Sequence, residues 1–152
     1  MQVRQSTAGD IHDLQEVLRE TDLFPPDMLP DMVLGVDANP EAKEVMLTCE
    51  AAGTAIGFCY ALPEELTNQT WNLLAIAVHP DHQSTGAGRA MIAELERQLT
   101  DRQGRILIVD TSGTQAYAPT RAFYTALGFD EEARIRDFWD TGDDKVIFRK
   151  AL

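Results

Sequence analysis

Positive charge is scarce in this chain. Lys and Arg total 13 against 25 Asp and Glu, a formal net charge of −12. A general nucleic-acid binder needs a basic footprint on phosphate, so that class is excluded. The acidity serves solubility first and suits a cationic partner, such as an amine, second. Cysteine is scarce too: Cys49 and Cys59 are the whole supply. They make no closely spaced metal-type pair, so no metal is expected. They flank a turn at "EAAGTAI", nearly opposite on two strands, and a disulfide is geometrically conceivable. In a reducing compartment two buried free thiols are expected instead. No apolar run is long enough to span a bilayer. The opening "MQVRQSTAGDIHDL" has no apolar signal-peptide core. The expectation is a cytoplasmic protein without membrane contact. Repeats, low-complexity tracts and long linkers are missing, so 1–152 is read as one domain.

What is present is alternating apolar periodicity. "MQVRQS" predicts a strand. "TAGDIHDLQEVLRET" predicts a helix, with Thr7 as cap, Asp10 three residues on, and Ile11, Leu14, Val17 and Leu18 on one face. The Pro-broken "FPPDMLPDMVLG" leaves a short second helix near Asp31–Gly35. "EVMLTCEA" and "TAIGFCYAL" predict a hairpin through Ala52–Gly53. "TWNLLAIAV" is almost wholly apolar, the mark of a central strand buried on both faces. A helix follows from Gly86 to about Arg102, then the strand "GRILIVDT". "APTRAFYTALG" predicts a helix ended by Gly128. The strands "RIRDFW" and "KVIFRK" close the chain, separated by the turn "TGDD". The fold class that results is α/β: a single mixed, mostly antiparallel sheet of about seven strands, with helices on both faces.

The stretch "HPDHQSTGAGRAM" carries the chain from the central strand into a helix. The first turn of a helix has N–H groups without internal partners and the positive end of the dipole. Gly86 and Gly88 let a ligand approach that backbone closely. Gln83, Ser84 and Thr85 add side-chain donors, and Arg89 adds charge. Together these make a site for phosphate or pyrophosphate. The plain alternative is a β–α connection that uses glycines only to turn. Neither GxxxxGK[ST] nor GxGxxG is matched.

Gln83-x-x-Gly86-x-Gly88 resembles the Q/R-x-x-G-x-G/A signature of the GNAT superfamily of acyl-CoA-dependent N-acyltransferases. "AVHPDHQ" and "AFYTALGF" (Ala122–Phe129) are similar to that family as well. The two motifs lie roughly 35 residues apart, each at a helix in the right place. The resemblance implies a sheet splayed at its centre. It implies that Ile76, Ala77 and Val78 pair through their backbone with the pantetheine arm of acetyl-CoA. It places the pyrophosphate on the turn Gln83, Ser84, Thr85, Gly86, Ala87, Gly88, Arg89 and Ala90. Tyr124 matches the tyrosine set beside the thioester sulfur, where a phenol of pKa about 10 protonates the departing thiolate. Where many members carry a cofactor-contacting Asn, this chain has Tyr117, which lacks an amide's paired donor and acceptor but still offers a face for the cofactor. Pro119 fits a first-turn helix position.

The implied reaction is acetyl transfer from acetyl-CoA to a primary amine by direct attack in a ternary complex. The acceptor is a small-molecule or peptide amine, and a homodimer is compatible with the family, with "KVIFRKAL" a candidate either to extend a sheet across subunits or simply to end this one. Some relatives place a Glu base on the central strand; "TWNLLAIAV" has none. The candidates are Asp110, at the carboxyl end of a strand, and Asp137, Glu50 and His79, with a water relay as the alternative. Phe24, Trp71, Phe138 and Trp139 are candidates for an acceptor pocket. Two competing readings are a non-catalytic acyl-CoA-binding sensor on the same fold and an unrelated α/β nucleotide binder.

Overall fold

The computed structural model describes residues 1–152. In chain order the elements are β1 (Gln2–Gln5), α1 (Ile11–Thr21), α2 (Leu29–Val36), β2 (Val45–Ala51), β3 (Thr54–Pro63) and β4 (Thr70–Val78). There follow α3 (Ala87–Asp101), β5 (Ile106–Ser112), α4 (Ala118–Ala126), β6 (Asp130–Asp140) and β7 (Asp143–Ala151). All strands join one seven-stranded sheet in the order β1-β2-β3-β4-β5-β7-β6. Every neighbouring pair is antiparallel except β4 with β5. This is the mixed α/β sheet that the sequence predicts. No helix is long and apolar enough to cross a membrane.

The helices cover both faces because each presents one apolar stripe. Leu14, Val17 and Leu18 of α1 and Leu29, Val33 and Val36 of α2 pack with Phe58 and Met46 on one face. Met91, Ile92, Leu95 and Leu99 of α3 pack with Tyr124, Phe129 and Phe148 on the other. Burying each such side chain contributes about 1.5–3 kcal/mol.

The entry to α1 is more elaborate than a cap. A 3-10 turn over Ala8–Asp10 precedes the helix. The Asp10 carboxylate accepts from the Thr7 N–H at 2.8 Å, from two Arg4 nitrogens at 2.8 Å each, and from the Thr48 hydroxyl at 3.1 Å. Arg4 also reaches Glu50 at 2.7 Å.

Four expectations need correction. The second helix runs Leu29–Val36, longer than Asp31–Gly35, because Pro30 occupies its first turn instead of breaking it, while Pro26 opens a separate 3-10 turn before it. The strand "TWNLLAIAV" is not buried throughout: Leu74 is 52% exposed. The cause is topological. β4 pairs with β5 only over Thr70–Leu73, and past that point the two strands part. At the same place the β3 register jumps from Tyr60↔Ala75 to Ala61↔Leu73, so Leu74 is an extra residue, a bulge. The third correction concerns "KVIFRKAL". It does not edge the sheet; β7 lies between β5 and β6, and the fully exposed β6 is the edge. Finally, Cys49 and Cys59 are not directly opposite one another, because Cys49 faces Gly57 and Cys59 faces Leu47; both are buried free thiols, as expected.

Candidate functional site

The parting of β4 from β5 opens the molecule at its centre. Ile76, Ala77 and Val78 remain paired with Cys59, Phe58 and Gly57 of β3. Their other edge has no strand partner. Two clefts meet there. The first, about 560 Å³, is lined by Ile76, Ala77 and Val78, by the turn into α3, and by Pro119, Thr120 and Phe123 of α4. The second, about 470 Å³, is lined by Leu74, Asp110, Tyr117, Trp139 and Asp143, with Leu23 from the α1–α2 loop. Ile76, Thr120 and Tyr124 line both.

The turn into α3 is built to present N–H groups. Ser84 has φ +62° and Gly86 φ +94°, a left-handed pair that bends the backbone inward. None of the backbone N–H groups from Ser84 to Arg89 finds an acceptor within the protein; the first helical bond there is Ala90 N–H to the Gly86 carbonyl at 2.9 Å. Consecutive free N–H groups at a helix start form an anion cradle. Gly88 brings α4 close: a Cβ there would lie 3.1 Å from the Phe123 ring.

The side chains of this turn do something other than the sequence predicts. The Gln83 amide donates to the Val78 carbonyl at 3.1 Å, and the Thr85 hydroxyl donates to the His82 carbonyl. They brace the turn from within and leave the backbone to face the cleft. Gln83, Ser84, Gly86, Ala87, Gly88 and Arg89 line the first cleft; Thr85 and Ala90 stand behind it. His82, Pro119, Thr120 and Phe123 line it without any sequence signal beyond proximity to the motifs.

Tyr124 is 2% exposed and sits at the junction of the clefts. Its ring packs on Phe123, Phe129 and Phe148 with centroids 5.3–5.5 Å away. Burial, with Cys59 nearby, pushes its phenol well above the ordinary value, so the hydroxyl stays protonated at neutral pH. The helix that carries it is fixed by Arg121, whose guanidinium donates to the Ser112 and Thr114 carbonyls at 2.8 and 2.7 Å.

Asp110 lies in the second cleft. One oxygen meets the Lys145 ammonium at 3.1 Å; the other is buried with no partner. Asp143 accepts from the Ser112 hydroxyl. Tyr117 lines this second cleft and not the first. The other base candidates are elsewhere. Glu50 is tied to Arg4, Asp137 accepts from the Gly142 N–H in the β6–β7 hairpin, and His79 accepts from the Asp81 N–H. Of the four aromatic candidates, Trp139 alone lines the cleft. Phe24 packs on Phe58, Trp71 lies under Arg102, and Phe138 lies under Lys145. Leu23, Leu74 and Asp143 had no distinguishing signal, because an apolar run and an acidic hairpin turn have commoner explanations.

Comparison with known proteins gives this geometry its context. Residues 42–131 match the family model described as an acetyltransferase (GNAT) domain. A stretch of 73 residues is 36% identical to the [ribosomal protein bS18]-alanine N-acetyltransferase of Escherichia coli K12; it covers 48% of each chain, so the chain spans about half the length of the curated relatives it matches. A crystal structure from Desulfovibrio desulfuricans assigned to the GNAT family superposes with a TM-score of 0.89 and 31% identity, over 99% of this chain and 98% of that one. An aminoglycoside 6′-N-acetyltransferase complexed with coenzyme A shares the fold at a TM-score of 0.81 and 16% identity, over 99% and 97% of the two chains. The glycine-rich turn, the splayed strands and these matches agree: the chain belongs to the GNAT family of acetyltransferases.

Proposed function

We propose that the protein transfers an acetyl group from acetyl-CoA to a primary amine by direct attack within a ternary complex. One observation carries this reading: the row of free N–H groups from Ser84 to Arg89 and the unpaired edge of Ile76–Val78 line one cleft with Tyr124, which also lines the second. The N–H row holds the pyrophosphate, with Gln83, Thr85 and Ala90 shaping the turn. Ile76, Ala77 and Val78 hold the pantetheine arm through their backbone. Acetyl-CoA supplies the activated acyl group.

The second cleft holds the amine. Its nitrogen bonds to the acetyl carbonyl carbon as the carbon–sulfur bond breaks. Tyr124 donates its hydroxyl proton to the leaving sulfur. The ammonium form of the amine loses one proton to solvent before it attacks; Asp110 takes the second proton, which the nitrogen loses as the amide forms, and exchange with solvent reprotonates Tyr124 and deprotonates Asp110. Holding both partners in one gap removes the entropic cost of a bimolecular encounter. Tyr117, expected at the cofactor, is assigned to the amine because it lines the second cleft. The two unpaired thiols suit a cytoplasmic enzyme. The open edge of β6 is where a second copy would pair to form a homodimer, which sedimentation measures.

The test is amine-dependent thiol release. Tyr124→Phe removes one oxygen and keeps the ring. It is expected to lower kcat by about 10²-fold or more while acetyl-CoA binding is retained. Acetyl-CoA binding without thiol release from any amine would select the non-catalytic acyl-CoA sensor instead.

A further inference from the structure

The second cleft has a chemical character of its own. Of the ten large apolar side chains that stand exposed, four (Leu23, Leu74, Tyr117 and Trp139, each 43–52% exposed) line this one opening. They come from four separate parts of the chain: the α1–α2 loop, the β4 bulge, the entry to α4 and β6. Trp139 is held as a wall, because its indole N–H donates to the Thr111 carbonyl at 3.2 Å. Exposed apolar surface gathered around a concave floor marks a binding site.

The charge of the floor is also defined. Among the lining residues only Asp110 and Asp143 carry carboxylates. Lys145 pairs with Asp110 at 3.1 Å and lies 4.4 Å from the Phe138 ring centre, so it belongs to the protein's own packing. Two carboxylates and one ammonium leave a single negative charge. One cation balances it, and a polycation would leave further charges against apolar walls, where they lose water without gaining partners.

Resting on the acetyl-transfer reading above, we infer that the acceptor is a small, singly charged primary amine carrying a bulky apolar or aromatic body. Its ammonium end lies over Asp110 and Asp143 before it loses a proton, and its apolar body packs between Leu23 and Trp139. The cleft volume of about 470 Å³ matches a small molecule. Polyamines, aminoglycosides and small hydroxylated amines lack either the single charge or the apolar body.

The experiment compares kcat/KM for 2-phenylethylamine, ethanolamine, spermidine and a pentapeptide with an N-terminal Phe, using thiol release from acetyl-CoA. Phenylethylamine is expected to exceed each of the others by about ten-fold or more, the range that an apolar pocket supplies. Trp139→Ala is expected to raise KM for phenylethylamine several-fold and to shrink the phenylethylamine-to-ethanolamine ratio of kcat/KM by a similar factor. Leu23→Asn, in a different element, is expected to do the same, which guards against a folding defect in either variant. Equal or greater activity with ethanolamine or spermidine would overturn the inference while acetyl transfer stood. Preference for the peptide would overturn the small-molecule assignment. Calorimetry on the CoA complex separates the two readings. Phenylethylamine that binds without turnover upholds the cleft assignment and overturns acetyl transfer; phenylethylamine that neither binds nor reacts overturns the cleft assignment.

Discussion

Asp10 shows how much a single residue carries. It is 5% exposed, and burial alone would push its carboxyl up. The bonds from Arg4, the Thr7 N–H and Thr48 outweigh burial and hold it below the ordinary carboxylate value. A depressed folded pKa stabilises the protein above the unfolded value, near 3.9, and the contribution is lost as pH falls through the folded value. Asp10→Asn is expected to cost about 1.5–3 kcal/mol at pH 7, the worth of hydrogen bonds to a charged group. Urea unfolding should show that gap constant down to about pH 5 and narrowing below about pH 4. A gap independent of pH would mean that shape alone, not charge, matters there. The sequence shows Asp10 as a cap partner of Thr7. Its bond to Arg4 was not legible, because β1 and the first turn meet only once the sheet forms. Tyr124 was legible because its motif is local; its place at the junction of two clefts depends on Phe129 and Phe148, the latter from a distant strand.

At the scale of elements, the parting of β4 from β5 makes the site. The strands themselves were legible from apolar periodicity, and the crossover helix α3 predicts their parallel pairing. The length of that pairing was not, since "TWNLLAIAV" reads the same whether or not a neighbour runs beside its second half. Gly57 shows why β4 takes its course. A Cβ there would lie 2.6 Å from the Ala77 carbonyl oxygen and 3.3 Å from the Val78 Cα. Gly57→Ala therefore pushes on the strand that lines the first cleft. The expected outcome is about 1–3 kcal/mol of lost stability. Acetyl-CoA affinity should also weaken about ten-fold, or 1.4 kcal/mol. Gly35→Ala, with open space around it in α2, should leave affinity unchanged. Calorimetry on the two variants checks both statements. The β6 edge, all eleven residues of it exposed, was not legible either, because strand order depends on which hairpin strand folds back onto β5.

The whole molecule divides its labour across the sheet. One face, with α1 and α2, is packed around Phe58 and brings Leu23 to the second cleft; the other, with α3 and α4, presents the anion cradle and Tyr124. The net charge of −12 leaves room for a cationic acceptor, and in the proposed reaction the anionic donor is met by the free backbone N–H groups of the turn and not by a basic patch. That division was half legible. The donor side follows a contiguous motif, so the turn Gln83–Ala90 was legible from its own residues, and Ile76–Val78 entered as candidates through the family resemblance. The second cleft is assembled from distant segments; Asp110 stood out in advance as a base candidate and Trp139 as a pocket candidate, while Tyr117 was expected at the cofactor and Leu23, Leu74 and Asp143 gave no signal. The central claim is that the turn from Ser84 to Arg89 binds acetyl-CoA. The most direct measurement is the thermal midpoint of the purified protein titrated with acetyl-CoA and CoA, with NAD and ATP as controls. At 100 times its Kd a ligand adds about 2.7 kcal/mol. For a domain of this size that raises the midpoint by several degrees. The account predicts that rise with acetyl-CoA and CoA and none with NAD. An unmoved midpoint with both CoA species would contradict it and return Gly86 and Gly88 to the role of a simple turn.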